Sequence, residues 1–336
     1  MTADAAVERD QAASREHADP GSLTATVLVP SYNRPETLLN CLNGIIAGSR
    51  LPEQLVVVLR ESDERSHESV AGWLAEDARR DRLVDVAQVR RPGPMAAAEA
   101  GLKLATSDVV CLIDDDCVPT EEWLERILTH YAEPDVIGVG GRDRVHHGER
   151  IACEPAERVG RITWYARIIG NHHQPDFDEV REVDHLKGAN MSFRREIIPA
   201  YDLRLRSGVF HEIDVAFGAL QHDGRLLYDP LAIVDHYPAP RHFGHPRDSD
   251  SLQAVTDLSH DYAYVMLKHL PPARRVAFWL FALLVGQHWR YGALRMLAAL
   301  PREGRTAVMR WRAALRGLAE ARGTLHRAQR GAGGEE

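Results

Sequence analysis

Short apolar runs and amphipathic segments alternate along the first part of the chain. The apolar, largely β-branched runs predict strands at residues 24–30, 55–59, 84–89, 109–113 and 136–139. Apolar residues at helical spacing predict helices between them, at residues 36–46, 66–80, 94–105 and 121–131. Strands and helices that alternate at such intervals are typical of right-handed βαβ units. The pattern therefore predicts an α/β fold with a mostly parallel sheet flanked by helices.

The second half of the chain is less regular. Residues 185–195 and 225–234 each predict a turn with a strand, and the pattern becomes helical after Ser251. The apolar run 276–285 is too short to span a bilayer. We interpret the organisation as a disordered leader at 1–22, one large domain at 23–250, a basic helical extension at 251–330 and a flexible tail at 331–336.

Charge is distributed unevenly along the chain. The formal net charge of -8 argues against a nucleic-acid binder, which normally has a basic surface. Residues 268–336 contain 13 Lys and Arg against 4 Asp and Glu, a net of +9, so the rest of the chain carries -17. Two interpretations stay open for this basic extension. It contacts an anionic membrane surface peripherally, or it is an arginine-rich helix face in solvent.

The cysteines and the N-terminus indicate the cellular compartment. Cys41, Cys111, Cys117 and Cys153 show no zinc-type spacing, and a chain of 336 residues does not depend on a disulfide framework. Residues 1–22 contain no apolar stretch, so they do not predict a secretory signal. We expect reduced thiols and a cytoplasmic location, with peripheral contact to the cytoplasmic membrane face as one interpretation of the basic extension.

Polar clusters follow the first, second and fourth predicted strands, as SYNR, RESD and DDD. Ligands of α/β sheets bind at the carboxyl ends of the strands. Three adjacent carboxylates repel one another, and a divalent cation such as Mg²⁺ or Mn²⁺ would offset that repulsion. On an extended backbone Asp114 and Asp116 would lie on one side. We therefore expect Asp116 to bind the metal, with Asp114 near the metal or a ribose. An acidic turn before a helix is the alternative.

The segments VLVPSYNR, RPGPMAAAEAG and CLIDDDCVP resemble the family 2 inverting glycosyltransferases, which have the GT-A fold. The resemblance covers roughly residues 24–236. It implies a nucleoside-diphosphate sugar as donor, a metal-binding DxD element at residues 114–116, and Mn²⁺ or Mg²⁺ as cofactor. The nucleotide-binding residues that it implies are Pro30, Tyr32, Asn33, Arg34, Asp114 and Asp115.

The chain departs from this family pattern after the second strand. Leu59, Arg60 and Glu61 stand where the family usually has Asp residues, and Asp63 follows. The nucleobase therefore stays open, with UDP as the first candidate and with Arg60 and Asp63 as candidate contacts. Arg91 stands where the family often has Asn. It either meets a phosphate, which its guanidinium suits, or forms a surface ion pair.

The later motifs supply the sugar site, the acceptor site and the base. The resemblance places Gly188, Asn190 and Arg194 beside the sugar and acceptor, Glu212 as catalytic base, and His236 as a metal ligand. Asp214 is the reserve base, or else the cap of a helix that begins at Val215. A structural role for His236 stays open. His211 and Trp164 complete the candidates for sugar or acceptor contact.

The predicted function is metal-dependent, inverting transfer of one sugar to an acceptor hydroxyl on a glycan, a lipid-linked molecule or a small molecule. The segment GQHWRYG superficially resembles a motif of polysaccharide synthases, but its order differs, so we predict single transfer. One alternative is a catalytically degenerate sugar-nucleotide-binding scaffold. A sugar-1-phosphate nucleotidyltransferase is disfavoured, because SYNRPE lacks the glycines of a phosphate loop.

Overall fold

The computed structural model describes residues 22–152, 156–174, 177–239 and 251–332. The strands are β1 (Ala25–Ser31), β2 (Gln54–Arg60), β3 (Val84–Val89), β4 (Val109–Ile113), β5 (Cys117–Pro119), β6 (Val136–His147), β7 (Arg150–Ile151), β8 (Arg161–Ile162), β9 (Ile168–Ile169), β10 (Arg181–Val183), β11 (Asn190–Arg194), β12 (Arg225–His236), β13 (Gly286–Gln287) and β14 (Arg290–Tyr291). The helices are α1 (Pro35–Ile46), α2 (Glu64–Ala75), α3 (Arg80–Leu83), α4 (Pro94–Leu102), α5 (Trp123–His130), α6 (His211–Ala219), α7 (Leu252–His269), α8 (Pro272–Leu284), α9 (Ala293–Glu303) and α10 (Arg305–Ala332).

A ten-stranded mixed sheet forms the centre of the fold. Its strands follow the order β10-β12-β6-β11-β4-β1-β2-β3, with β5 beside β12 and β7 beside β6. Neighbours among β1, β2, β3 and β4 are parallel, and so are β6 and β12. The predicted α/β fold with a mostly parallel sheet is thus confirmed.

Strand β11 is inserted antiparallel between β4 and β6. Its register places Asn190 opposite Ile113, at the carboxyl end of β4, and Arg194 opposite Val109, at the other end. The predicted strand near residue 190 is present. Because it runs antiparallel to β4, its first residue, Asn190, lies near the Asp triplet and its last residue, Arg194, lies at the opposite end of β4.

Both faces of the sheet are covered by hydrophobic cores. Successive side chains of a strand point to opposite faces, and in β1 Leu28 packs into one core while Val27 and Val29 pack into the other. All three side chains are fully buried. This two-sided burial explains why the central strands are continuous apolar runs in the sequence.

Several helices end earlier than predicted. Helix α2 starts after Asp63, whose carboxylate accepts a hydrogen bond from the Ser66 backbone N–H, and it ends at Ala75 rather than at residue 80. Helix α4 likewise ends at Leu102, before the predicted end at residue 105. Helix α10 extends to Ala332, into the predicted tail.

The C-terminal helices pack on the body of the protein. Helix α7 begins after Ser251, which caps it, and its Tyr262 hydroxyl donates a hydrogen bond to the Ala166 carbonyl at 2.7 Å. Helix α10 crosses α7 so closely that a Cβ on Gly317 would lie 2.2 Å from the Thr256 carbonyl oxygen. The helical pattern predicted after Ser251 is therefore present, and α7 belongs to the core.

Some predictions lie outside the described residues. These are nearly all of the leader, Cys153, and the tail beyond Ala332. Cys41, Cys111 and Cys117 are buried free thiols. Within the described ranges, no helix combines the length and the apolar character needed to cross a bilayer.

Candidate active site

The Asp triplet lies at the carboxyl edge of the parallel strands. It follows Ile113, the last residue of β4. The neighbouring strand β1 ends at Ser31, and the Ser31 hydroxyl donates a hydrogen bond to Asp115 at 2.6 Å. The sequence predicted this meeting, because carboxyl ends of parallel strands share one edge.

The triplet forms a turn and not an extended strand. The Cys117 backbone N–H donates to the Asp114 carbonyl at 3.1 Å, which closes the turn before β5. The expectation that Asp114 and Asp116 share one side of an extended backbone was wrong for this reason. The three carboxylates instead meet three different sets of neighbours.

Asp115 is the buried anchor of the triplet. Arg34 donates a hydrogen bond to it at 2.8 Å, in addition to the bond from Ser31. Burial raises the pKa of Asp115 to about 6, against the opposing charge of Arg34. Asp115 therefore ties the turn after β1 to the turn after β4, and both of its carboxylate oxygens are already engaged by these two residues.

Asp116 and His236 meet across the sheet edge. His236, the last residue of β12, places Nε2 3.4 Å from Asp116 Oδ1. Its Nδ1 lies 2.9 Å from Oδ1 of Asp143, a fully buried residue of β6 that also pairs with Lys187. Burial alone would raise the pKa of Asp116, but the hydrogen bond and charge of His236 lower it. A carboxylate that orients a histidine in this way is common behind metal ligands.

The side chains around Asp116 fit a divalent cation. Ligand atoms of Asp116, Cys117 and His236 all lie within 4.8 Å of one another. Burial and the nearby Asp114 raise the pKa of the Cys117 thiol well above its ordinary range, so the thiol stays protonated. Asp116 and His236 are therefore the candidate ligands, and the carboxylate oxygen suits Mn²⁺ or Mg²⁺. The structure brings predicted ligands Asp116 and His236 together, but Asp114 is not in this group.

Asp114 interacts electrostatically with both Glu212 and His236. Burial and the charges of Asp116 and Glu212 raise its pKa, and His236 opposes them. Arg34 balances part of this negative charge from the other side, where its Nη1 lies 3.4 Å from Asp116 as well as bonding Asp115.

The predicted nucleobase turn is built around Asp63. Its carboxylate accepts the backbone N–H of Asn33, whose φ is 56°, and also caps α2. The Arg60 guanidinium lies 4.9 Å from the centre of the Tyr32 ring. Tyr32, Asn33, Arg60 and Asp63 are thus brought together, but the Asp63 carboxylate already holds the backbone.

Pro30 and Arg91 frame this region. Pro30 lies within β1 opposite Val58 and is half-buried. Arg91 is exposed and donates to the Leu203 carbonyl at 3.2 Å. The partner of Arg91 in the structure is thus a backbone oxygen, and the contact with a phosphate stays a prediction.

Glu212 stands in the first turn of α6, close to the triplet. Its Oε1 accepts the backbone N–H of Gly188 at 3.2 Å, and a Cβ at Gly188 would lie only 3.0 Å from that oxygen. The preceding Phe210 adopts a left-handed conformation, with φ at 71°, which starts the helix abruptly. Gly188 and Glu212, both predicted from the sequence, therefore form one contact.

Asp214 has a different environment, although it is only two residues away. It is buried, and its carboxylate accepts hydrogen bonds from Lys268 at 2.9 Å and from His269 at 2.7 Å. It does not cap a helix at Val215, because α6 already begins at His211. Asp214 thus joins α6 to the end of α7.

Asn190 and Arg194 both hold neighbouring elements to β11. Asn190 is fully buried, and its amide accepts from the Trp123 indole at 2.9 Å and donates to the Ala232 carbonyl at 2.8 Å. Arg194 lies at the far end of β4 and donates to the Tyr131 and Val136 carbonyls. The antiparallel direction of β11 places Asn190 beside the carboxyl end of β4 and Arg194 at the opposite end, so the structure brings Asn190 near the Asp triplet and Arg194 away from it.

His211 and Trp164 are the remaining candidates for sugar or acceptor contact. His211 contacts the Gly208 carbonyl and lies 6.0 Å from the Tyr201 ring. The charge of His211 partly offsets the rise in the pKa of Asp114. Trp164, in the turn between β8 and β9, is 66% exposed.

Sequence reasoning missed three residues of this site: Ser31, Asp143 and Lys187. Of these, Asp143 carries a local signal, since it is an acidic residue that follows the apolar run of β6 in the segment GGRD. Its role depends on the pairing of β6 with β12, which brings residue 143 beside His236. That pairing is not visible in a single sequence.

Comparisons with known proteins identify relatives in sequence. The chain is similar to a glucosyl-dolichyl phosphate glucuronosyltransferase of Haloferax volcanii, 25% identical over 64% of this chain and 68% of that protein. It is also similar to a pre-mycofactocin glycosyltransferase of Mycobacterium tuberculosis, 28% identical over 43% of this chain and 30% of that protein.

Solved structures share the fold. GalNAc-T7 with UDP, GalNAc and Mn²⁺ aligns over 79% of this chain and 51% of its own, with a TM-score of 0.59 and 18% identity. The mannosyltransferase PcManGT from Pyrobaculum calidifontis, in complex with GDP-Man and Mn²⁺, aligns over 90% and 88%, with a TM-score of 0.54 and 16% identity. At this identity the likeness establishes a GT-A-like fold.

The family model named Glycosyl transferase family 2 matches residues 26–201, which is more than half of the chain. The match includes the turn after β1, the Asp triplet and β11. Glu212 and His236 lie beyond the matched residues, but in the structure they lie at the same sheet edge as the Asp triplet. The chain belongs to glycosyl transferase family 2 and is a nucleotide-sugar glycosyltransferase of class EC 2.4.

Proposed function

We propose that this protein transfers a single sugar from a nucleoside-diphosphate sugar, with UDP as the first candidate, to an acceptor hydroxyl with inversion of the anomeric centre. The observation that carries the proposal is the Asp116–His236 pair, held by Asp143, at the same sheet edge as Glu212. One edge thus offers a place for a diphosphate and a carboxylate for the acceptor.

The donor side is formed by the turns after β1 and β4. Arg34 lies between Asp115 and Asp116 and is half-buried, so its charge is placed near the diphosphate position. Tyr32, stacked by Arg60, offers an aromatic face for the nucleobase. Asp63 fixes the backbone of Asn33, so this turn is already rigid before a nucleotide binds.

Asp116 and His236 are the residues that would hold Mn²⁺ or Mg²⁺. When bound, such a cation neutralises the charge that develops on the departing nucleoside diphosphate. Asp143 is placed to accept the Nδ1–H of His236, so that Nε2, which faces Asp116, would offer its lone pair to the cation when one is bound.

Glu212 is the proposed base. The acceptor hydroxyl gives its proton to the Glu212 carboxylate as its oxygen forms the bond to the anomeric carbon and the bond to the diphosphate oxygen breaks. A single displacement of this kind inverts the anomeric centre. The Gly188 N–H donates to Oε1 of this carboxylate and so orients Glu212 beside the Asp triplet. Asp214 is already occupied by Lys268 and His269, so it is the weaker candidate.

The acceptor that we propose is a lipid-linked glycan, reached at the cytoplasmic face of a membrane. The name of the Haloferax relative, a glucosyl-dolichyl phosphate glucuronosyltransferase, supports this choice. The exposed indole of Trp164 on the acceptor side offers a surface on which a sugar ring can stack.

Calorimetric binding of UDP and GDP, with and without Mn²⁺, tests the donor side. We expect Mn²⁺-dependent binding that Asp116→Asn and His236→Gln abolish, while Asp77→Asn at an exposed site binds normally. If neither diphosphate binds in the presence of Mn²⁺, the proposed donor class is wrong.

Transfer assays with Glu212→Gln test the base. The variant should bind the donor as the wild type does and lose about 10²–10⁴-fold in transfer rate, the usual contribution of a general base. Transfer at the wild-type rate would remove Glu212 from the mechanism. NMR of the first-formed product reads the anomeric configuration, and retention would contradict the single displacement.

A further inference from the structure

Helices α8 and α9 carry an exposed apolar surface. Val276, Leu280, Leu294 and Leu297 are each between 55% and 62% exposed. Val276 and Leu280 are one helical turn apart on α8, and Leu294 and Leu297 are one turn apart on α9, so each pair lies on one face of its helix. Among the residues of α9, none is buried. Exposed apolar helix faces of this kind usually mark an interaction site.

The charges on α8 and α9 are mostly positive. Residues 272–303 contain five arginines and one acidic residue, Glu303, which pairs with Arg310. On α9, Arg295 and Arg302 are exposed and two turns apart, on the flank of the face that carries Leu294 and Leu297. An apolar face bordered by cations is the pattern of helices that lie in the interface of an anionic bilayer.

A groove beside the apolar surface also combines apolar side chains with arginines. It has a volume of about 930 Å³ and lies between α8 and α10. Trp279, Leu283 and Leu318 line it, together with Arg275 and Arg322. The Arg322 guanidinium lies 5.9 Å from the centre of the Trp279 ring. Apolar walls with two guanidinium groups match the chains and the phosphate of an anionic lipid.

A chain of contacts joins this surface to the loop of Gly188 at the active site. Arg274, at the start of α8, donates hydrogen bonds to the carbonyls of Thr163 and Trp164. The hairpin of β8 and β9 that carries Trp164 is bonded in turn to His185, three residues before Gly188. The contacts therefore run from the exposed face of α8 to the loop that holds Glu212.

We propose that α8 and α9 dock on the surface of an anionic bilayer, with Val276, Leu280, Leu294 and Leu297 inserted among the headgroups. This inference deepens the proposed function, because it orients the acceptor side towards lipid-linked substrates. Residues Trp164 and Arg274 then lie at the boundary between the bilayer and the acceptor site.

Vesicle flotation with the full chain tests the proposal. The protein should float with phosphatidylglycerol-rich vesicles and not with phosphatidylcholine vesicles, and added salt should weaken the binding. Leu294→Gln with Leu297→Gln should reduce binding by about tenfold or more. Leu51→Gln is the matched control, because Leu51 is an exposed leucine just before β2, on another part of the chain. Arg295→Glu with Arg302→Glu should abolish the preference for anionic lipid.

Absence of binding by the intact chain overturns the proposal, and so does equal binding by the leucine double variant. A dimer that forms without lipid, and that the double variant dissociates in analytical ultracentrifugation, would assign the surface to a second copy of the chain instead. Mn²⁺-dependent UDP binding, measured on the same samples, separates the two proposals. Loss of vesicle binding with intact UDP binding contradicts docking alone, and the reverse result contradicts only the proposed donor.

Discussion

His236 Nδ1 lies 2.9 Å from Oδ1 of Asp143, a carboxylate with no exposed surface. Because β6 and β12 are parallel neighbours, this pair is fixed by the sheet and not by a loop. The contact orients the imidazole ring so that Nε2 faces Asp116. It therefore determines whether Nε2 can bind a cation.

Replacement of Asp143 by asparagine tests that contact. The introduced amide can donate to Nδ1 of His236, which would leave the proton on Nε2 and block the metal side. We expect Asp143→Asn to weaken Mn²⁺ affinity by about 10–100-fold, the usual effect of losing such an orienting group. Mn²⁺ titration by calorimetry in the presence of UDP measures the change.

Asp229→Asn is the control for this experiment, since Asp229 is a buried carboxylate bonded to His130 at 2.8 Å outside the proposed site. It should leave the affinity for Mn²⁺ unchanged. Equal Mn²⁺ affinities in wild type and Asp143→Asn would show that Asp143 does not orient a metal ligand.

The sequence predicted the position of the Asp triplet because the reason is local. An apolar run that ends in DDD, within an alternation of strands and helices, places the carboxylates at the ligand-binding edge of a parallel sheet. The residue types also predicted a cation, since three carboxylates repel one another without one. The family resemblance then added Glu212 and His236, which are distant in sequence.

What the sequence could not predict depends on long-range pairing. Asn190 and Arg194 match a family motif, yet the antiparallel register of β11 points Asn190 into the core and places Arg194 at the far edge of β4. Asp214 and Glu212 differ by two helix positions, about 200° around the axis, so the choice between them required knowledge of which face meets α7.

Asp214→Asn separates stability from catalysis in α6. The substitution removes the charge that Lys268 and His269 share, and we expect the free energy of unfolding to fall by about 1.5–3 kcal/mol, as for hydrogen bonds to charged groups. Urea unfolding measures this loss. The rate of sugar transfer by the folded variant should stay near that of the wild type. A variant of full stability without transfer activity would instead make Asp214 the base.

Because the pKa of Asp202 is lowered in the folded protein, we expect the free energy of unfolding to fall at acidic pH. Burial alone would raise its pKa, but hydrogen bonds from Arg204 and Tyr264 and the charge of Lys268 lower it from 3.8 to about 2. A lowered pKa in the folded state contributes stability above the unfolded pKa, and that stability is lost as the pH falls from about 4 towards 2. The contribution is about 2 kcal/mol at neutral pH.

Unfolding curves between pH 2 and pH 6 therefore compare wild type with Asp202→Asn. The variant should be less stable at neutral pH, and its stability should fall less as the pH drops through this window. Asp77 has a pKa lowered to about 2 through Arg79 but lies at the surface, so Asp77→Asn should keep the wild-type profile. Parallel profiles for wild type and Asp202→Asn would contradict the assignment.

Gly188→Ala tests how closely Glu212 must be held. The added Cβ would lie 3.0 Å from Glu212 Oε1 and 3.1 Å from its Cγ, so the carboxylate must shift by a few tenths of an ångström. Small displacements of a reacting group are costly, because the reaction requires aligned atoms, and we expect transfer to slow by about tenfold. Donor affinity and melting temperature should change little.

Gly72→Ala, at an exposed helix position with no atom within 4 Å of the added Cβ, is the control and should leave transfer unchanged. Since the shift acts only through Glu212, combining Gly188→Ala with Glu212→Gln should add no further loss, and an additive loss would place Gly188 in a separate role.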